Sequence, residues 1–254
     1  MEKLEPLELY RKWLIHQPIP VKTIRASTLA SYWWCSEKAR LTALGVQGWK
    51  PSQAALTGTL IHNNILTARK LTPLEQEFEK ALAPFYKTNE KDGEPIIART
   101  YKNNKIKADG TFLTHGADEW KVEPDRNCWI IEYKTKSRSY VTPVDISPAR
   151  FQNKLYCWLH KPIFEYIPFE LAGGQIIFLQ RKGTKGKFKP IGQTEKMLWN
   201  EDTERDFLEQ VEHILWSWNN PTKQIPPKRY KCNFCSPIYK EKCYFQTGVV
   251  WNGE

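Results

Sequence analysis

The chain has 254 residues, a formal net charge of +10 and 41% hydrophobic residues. That length supplies a sizeable core for one or two domains. With no apolar run of about 18 residues and no signal-peptide pattern, it reads as a soluble, cytoplasmic protein with no membrane partner. The basic balance favours an anionic partner such as nucleic acid. The 11 Trp and 11 Tyr offer flat faces for unpaired bases, or pack in the core. Six cysteines in a reducing compartment point to metal binding or burial rather than disulfides.

Residues 5–16 pattern as a short amphipathic helix. The stretch STLASYWWCSEKARLTALG predicts one helix, with Ser27 as N-cap and Gly45 just past its end. Leu29, Ala30, Tyr32 and Trp33 face inward by helical spacing, and Cys35 sits in the middle. A further helix is expected from Pro51 to Lys70. In it Gly58 and His62 are one turn apart on one face, so the backbone can approach something closely while the imidazole reaches for it. Taken alone, His62 is as readily a hydrogen-bonded core histidine. Thr72-Pro73-Leu74-Glu75 reads as a capping box with proline at N1, opening a helix to about Ala83. Residues 84–114 turn to short strands and loops, where Lys102, Lys105 and Lys107 either track a phosphate backbone or are solvated.

From His115 to Lys136 the sequence HGADEWKVEPDRNCWIIEYKTK predicts a β-hairpin. Its arms are His115–Val122 and Cys128–Thr135, and Glu123 to Asn127 form the turn. Counting from the turn sets Asp118 opposite Glu132. Glu132 and Lys134 share a strand face. Two carboxylates that close repel unless a cation lies between them. Asp…Glu-x-Lys is the core pattern of the PD-(D/E)xK nucleases, and this hairpin resembles it. Pro124-Asp125 fits the letters better than Ala117-Asp118 does, but Asp125 lies in the turn, far from Glu132. Glu-x-Lys by itself is also a common charge pattern on exposed strands.

Beyond the hairpin, Lys136, Arg138 and Tyr140 lead to a helix start at Ser147-Pro148. That helix carries Gln152 and Tyr156 on one face and ends near Lys161-Pro162. Ile163–Phe169 and Gly174–Gln180 read as strands. Arg181 to Lys189 is a basic turn, a hairpin loop that contacts nucleic acid or is merely solvated. Asn200–Trp218 is a long amphipathic helix with an acidic first half, and Pro221–Pro227 breaks the chain.

Cys232-x-x-Cys235 with Cys243 is one thiolate short of a four-cysteine site. Cys35, Cys128 and Cys157 could supply the fourth. Cys128 opens the Glu-x-Lys strand and Cys157 neighbours Tyr156, which suits packing, so Cys35 is the choice. The whole order is one N-terminal cysteine, a GxxxH helix, a Gly-x-Asp strand, a Glu-x-Lys strand, a Gln-x-x-x-Tyr helix and three C-terminal cysteines. That order resembles the RecB-like PD-(D/E)xK nucleases with a four-cysteine iron–sulfur cluster, most of all the CRISPR-associated RecB-like exonucleases.

The resemblance implies an α/β nuclease core, with a mixed sheet of about five strands flanked by helices. It implies one nuclease domain over 1–254, with a core at 50–225 and an iron–sulfur lobe of 20–49 plus 226–254. His62, Asp118, Glu132 and the Tyr133 carbonyl would hold Mg²⁺ or Mn²⁺. Asp118, Glu132, Lys134, Gln152 and Tyr156 would form the catalytic set. Cys35, Cys232, Cys235 and Cys243 would hold the cluster, of the 4Fe-4S type. The expected substrate is DNA, single strands preferred, cut as a 5′ to 3′ exonuclease with some endonuclease activity. CRISPR integration proteins and further copies of the chain are the expected partners. A nucleic-acid binding module with a dead site, or a zinc protein using the same thiolates, are the alternatives.

Overall fold

The computed structural model describes residues 23–46, 48, 53–86, 105–108, 111–114, 119–227, 232–233 and 235–252. The expected helix at 5–16 and Lys102 lie outside them. The chain begins with β1 (Thr23–Arg25), α1 (Ala26–Ala30), a 3₁₀ turn (Ser31–Trp33) and α2 (Ser36–Ala43). α3 (Gln53–Ala68), α4 (Pro73–Tyr86), β2 (Lys105–Ala108) and β3 (Thr111–Thr114) follow. Then come β4 (Glu119–Val122), β5 (Asn127–Lys136), α5 (Pro143–His160) and a 3₁₀ turn (Lys161–Glu165). β6 (Glu170–Lys182), β7 (Lys187–Leu198), α6 (Glu201–Asn219), α7 (Pro237–Lys242) and α8 (Tyr244–Thr247) complete the order.

The fold is mixed α/β. Its larger sheet has the order β4-β5-β6-β7. β4 and β7 pair antiparallel to their neighbours, while β5 and β6 run parallel. A parallel pair needs a crossover, and α5 supplies it. The other sheet, β1-β3-β2, has three strands. The described residues thus form two sheets rather than the single sheet of about five strands expected.

Alternation along β5 assigns its two faces. Cys128 and Ile130 join Trp120, Val122, Phe151, Leu155, Phe207 and Trp218 in the main core, under α5 and α6. Trp129, Ile131, Tyr133 and Thr135 point the other way. α3 crosses that second face, and a Cβ on Gly58 would lie 2.9 Å from the Thr135 hydroxyl. The close approach expected at Gly58 therefore exists, and the strand is what it approaches.

Several boundaries differ from the sequence reading. The predicted helix from Ser27 to Gly45 is broken at Cys35, which is extended (φ −161°, ψ 113°) and caps α2. Three aromatic residues in a row, Tyr32 to Trp34, lose rotamer freedom in a helix and favour the break. Trp33 is exposed rather than inward. α5 begins at Pro143, not Ser147-Pro148, because Thr142 and Asp145 form a capping box. The strand expected at Ile163–Phe169 is a 3₁₀ turn and bends, and β6 starts at Glu170. Other features match. Thr72 and Glu75 cap α4 reciprocally, with bonds of 2.8 and 3.2 Å. The β6–β7 hairpin turns within the predicted basic loop, and Asn200 caps α6.

Candidate active site and thiol cavity

Hydrophobic burial threads Cys128–Ile131 through the core and carries Glu132, 3% exposed, to the end of that buried run. Burying a carboxylate needs a compensating partner. Lys134, two residues on and so on the same face, donates its ammonium to Glu132 Oε1. It also donates to Gln152 Oε1 at 2.8 Å. Gln152 Nε2 in turn donates to the Tyr156 hydroxyl, one helical turn along α5. Glu132, Lys134, Gln152 and Tyr156, four of the residues singled out from sequence, thus form one hydrogen-bonded chain.

The helix is held in register with the strand by Asn153. Its side-chain amide donates to the Ile130 carbonyl at 3.1 Å. It lies so close to β6 that a Cβ on Gly174 would fall 1.3 Å from Asn153 Oδ1. Asp145, at the other end of the helix, ties α5 to the exit of β5 through Lys136 at 2.6 Å and through Arg138. Burial acts to raise the Asp145 carboxyl, but hydrogen bonds from Lys136, Thr142 and Arg138 hold it well below the usual range.

Among the described residues, β4 pairs with β5 only up to Glu119 opposite Ile131. Asp118 itself, with Gly116 and Ala117, lies outside the described residues. Asp125 is bound up in the turn, accepting from the backbone and side chain of Asn127 at 3.2 and 2.6 Å, as expected of a residue away from the site. His62 reaches β5 from the α3 side, its ring 6.3 Å from that of Tyr133. That is the opposite face from Glu132 and Lys134, so His62 meets the strand at Tyr133. On this face Tyr133 donates to Glu119 at 2.7 Å, and Arg69 pairs with Glu119 at 2.9 Å. The sequence reading missed this network. Only an apolar–charged alternation in Glu119-Trp120-Lys121-Val122 hinted at it.

Cys35, Cys232, Cys235 and Cys243, over 200 residues apart at the extremes, line one small cavity together with Lys38 and Lys240. Burial pushes the Cys35 and Cys235 thiols up, and their neighbours Cys232 and Cys235 add to this as like charges. The Cys243 thiol is pushed up to about 11, chiefly by burial. Around the cavity, Glu37 and Arg40 are fully buried and paired twice at 2.7 Å. The Tyr244 amide donates to Glu37, and Arg40 donates to the Trp251 carbonyl at 2.9 Å. These bonds tie the C-terminal segment to α2. Cys128 and Cys157 are buried in the main core instead, and burial alone raises Cys128 to about 12. Among the described residues no three His, Cys, Asp or Glu side chains converge on a point where one metal ion could be held.

Among these residues, too, no helix is long and apolar enough to cross a membrane. No protein-family model matches the chain, and no curated protein matches it. A solved structure, the crystal structure of SSO0001, aligns over 95% of this chain and 94% of that one, at 15% identity and a TM-score of 0.39.

Proposed function

We propose that the protein is a metal-dependent deoxyribonuclease of the RecB-like PD-(D/E)xK type, with an iron–sulfur lobe beside the nuclease core. The observation that carries the reading is the chain Glu132–Lys134–Gln152–Tyr156 at the end of a buried strand. Structural lysine–glutamate pairs are usually exposed and worth little. This one is buried at its carboxylate and oriented by a glutamine that is itself oriented.

The donors suit a hard divalent cation: the Glu132 carboxylate and the Tyr133 carbonyl supply oxygen, with Asp118 as the further ligand, while His62, which meets the other face of β5 at the Tyr133 ring, falls outside this set. Bound there, Mg²⁺ or Mn²⁺ would polarise the scissile phosphate and acidify a water. Lys134 has two fixed acceptors, so its ammonium stays on the Glu132 face, where it stabilises charge building on phosphoryl oxygen or positions a water. Gln152 gives its carbonyl to Lys134 and its amide to Tyr156, and so fixes the angle of the lysine.

The soft thiols of Cys35, Cys232, Cys235 and Cys243 suit iron–sulfur ligation. Lys38 and Lys240 in the cavity wall offset the negative charge that four thiolates bring. A cluster there would staple α2 to the C-terminal segment, a structural role. The basic β6–β7 turn packs against α3: Arg181 donates to the Ala54 carbonyl at 3.0 Å. Lys182, Lys185, Lys187 and Lys189 are left exposed beside the helix that carries His62, a placement that suits contact with a phosphate backbone.

Single-stranded DNA labelled at the 5′ or the 3′ end tests this. Product is expected with Mg²⁺ or Mn²⁺ and none with EDTA, released progressively from the 5′ end. Bound but uncut DNA under every metal would overturn the nuclease reading in favour of a binding module. The CRISPR spacer-acquisition setting and its integration proteins belong to the same proposal.

A further inference from the structure

A second cavity lies against the thiol cavity, and Cys35 and Pro227 line both. It spans about 340 Å³ between the Ser31–Trp33 turn and the C-terminal half of α6. That volume lies within the usual range of ligand sites, about 300–1,000 Å³. Tyr32, Trp33, Trp34, His213 and Trp216 wall it. Trp216 is 48% exposed and Trp33 36% exposed, unlike the buried Trp158 and Trp218 of the core. Leaving two indoles in water forgoes a large burial gain.

The rings are ordered by each other. His213 and Trp216 lie nearly parallel, at 15° and 6.2 Å. Tyr32 meets His213 and Trp33 edge-on at 5.9 and 5.6 Å. Trp33 rests on Phe151 of α5 at 6.1 Å.

Part of the polar lining is committed to itself. Ser36 donates to Gln224 Oε1 at 2.6 Å, and Gln224 Nε2 donates to the Ser217 carbonyl at 2.9 Å. The largest part of what the cleft offers is aromatic ring face. Among the described residues, Lys223 is the charged side chain in its lining, and no carboxylate lines it. Ring faces with one cation match unpaired bases on a phosphate backbone, taken without regard to sequence.

We infer that this cleft between the Tyr32–Trp34 turn and α6 is a base-stacking subsite for single-stranded nucleic acid, with Trp216 and Trp33 as its platforms and Lys223 on the backbone. The inference extends the nucleic-acid side of the proposed function and rests on that reading for its ligand, but it does not need the cleavage chemistry.

Fluorescence anisotropy of a labelled oligothymidylate, without added divalent cation, measures it. Trp216→Ala is expected to bind roughly 10-fold more weakly than the parent, and Trp216→Phe, which keeps a ring, to recover most of the loss. The parent should bind an abasic strand of equal length roughly 10-fold more weakly than oligothymidylate, and Trp216→Ala should weaken that binding no further. Equal binding of abasic and thymidylate strands by the parent would overturn the inference whether or not the variants fold. So would a change of oligomeric mass in Trp216→Ala with unchanged DNA binding, which would make the cleft a contact between copies. Loss of binding in Trp216→Ala with cleavage unaffected by Glu132→Ala would keep the cleft and remove the nuclease site. The converse would remove the cleft alone.

Discussion

His160 lies wholly inside the core, its ring edge-on to Trp120 at 5.1 Å. Its Nδ1 is 2.7 Å from the Tyr156 carbonyl. A carbonyl only accepts, so Nδ1 carries a proton and donates it. Burial pushes its pKa down to about 4. An unfolded chain takes up that proton near pH ~6.5, and the folded one refuses it until about 4. Stability from this residue is thus complete above pH ~6.5 and is lost as pH falls towards the folded value. Urea melts at pH 7 and pH 5 should differ by about 2 kcal/mol more in the parent than in His160→Gln. Equal differences would show that His160 charges freely. The histidine expected to matter from the sequence was His62. His160 escaped notice because nothing local marks it, and its partner is a backbone carbonyl one turn back. Asp145 escaped for a different reason. Thr142-Pro143-Val144-Asp145 has the same capping signature as Thr72-Pro73-Leu74-Glu75, but Ser147-Pro148 also fits a helix start. The carboxylate contacts with Lys136 and Arg138 decide between them.

At the scale of elements, the site depends on how α5 meets the sheet. Gly174 leaves the space that Asn153 occupies, and Asn153 is adjacent to Gln152. Gly174→Ala places a methyl where the Asn153 carbonyl oxygen sits, with strand backbone on one side and helix on the other. It should cost about 2 kcal/mol of stability in urea melts and lower cleavage at temperatures where the fold survives, because Gln152 then no longer orients Lys134. Full stability and full cleavage would show that α5 slides without consequence. The strands and helices nearest the site were legible in the sequence because each carries a local signal: the turn at Glu123–Asn127, alternation in β4, the i, i+4 pair Gln152–Tyr156. The break at Cys35 was not, since the helical pattern continues through it in phase. The Tyr32–Trp34 run only favours it; an extended residue there also brings the Cys35 thiol to a cavity whose other thiols come from the far end of the chain. The second sheet was missed because β1 pairs with β3 across the whole of α1 to α4, a contact no local pattern records.

The molecule as a whole sets the β5–β6 pair between α5 on one face and α3 on the other, with α2 and the C-terminal segment joined around four thiols. The buried Glu37–Arg40 pair and its bonds to Tyr244 and Trp251 make that junction specific. Protein purified without air should be brown and contain iron. Two centres of different chemistry, a hard-oxygen site on β5 and a soft-thiol site at α2, would then share one fold while acting separately. The most direct measurement compares cleavage of single-stranded DNA by the parent and by Glu132→Ala, with Mn²⁺ present and the visible absorption of both recorded. Loss of roughly 100-fold or more in cleavage, with the brown absorption unchanged, is the predicted result. A Glu132→Ala variant that cuts as fast as the parent would contradict the account at its centre.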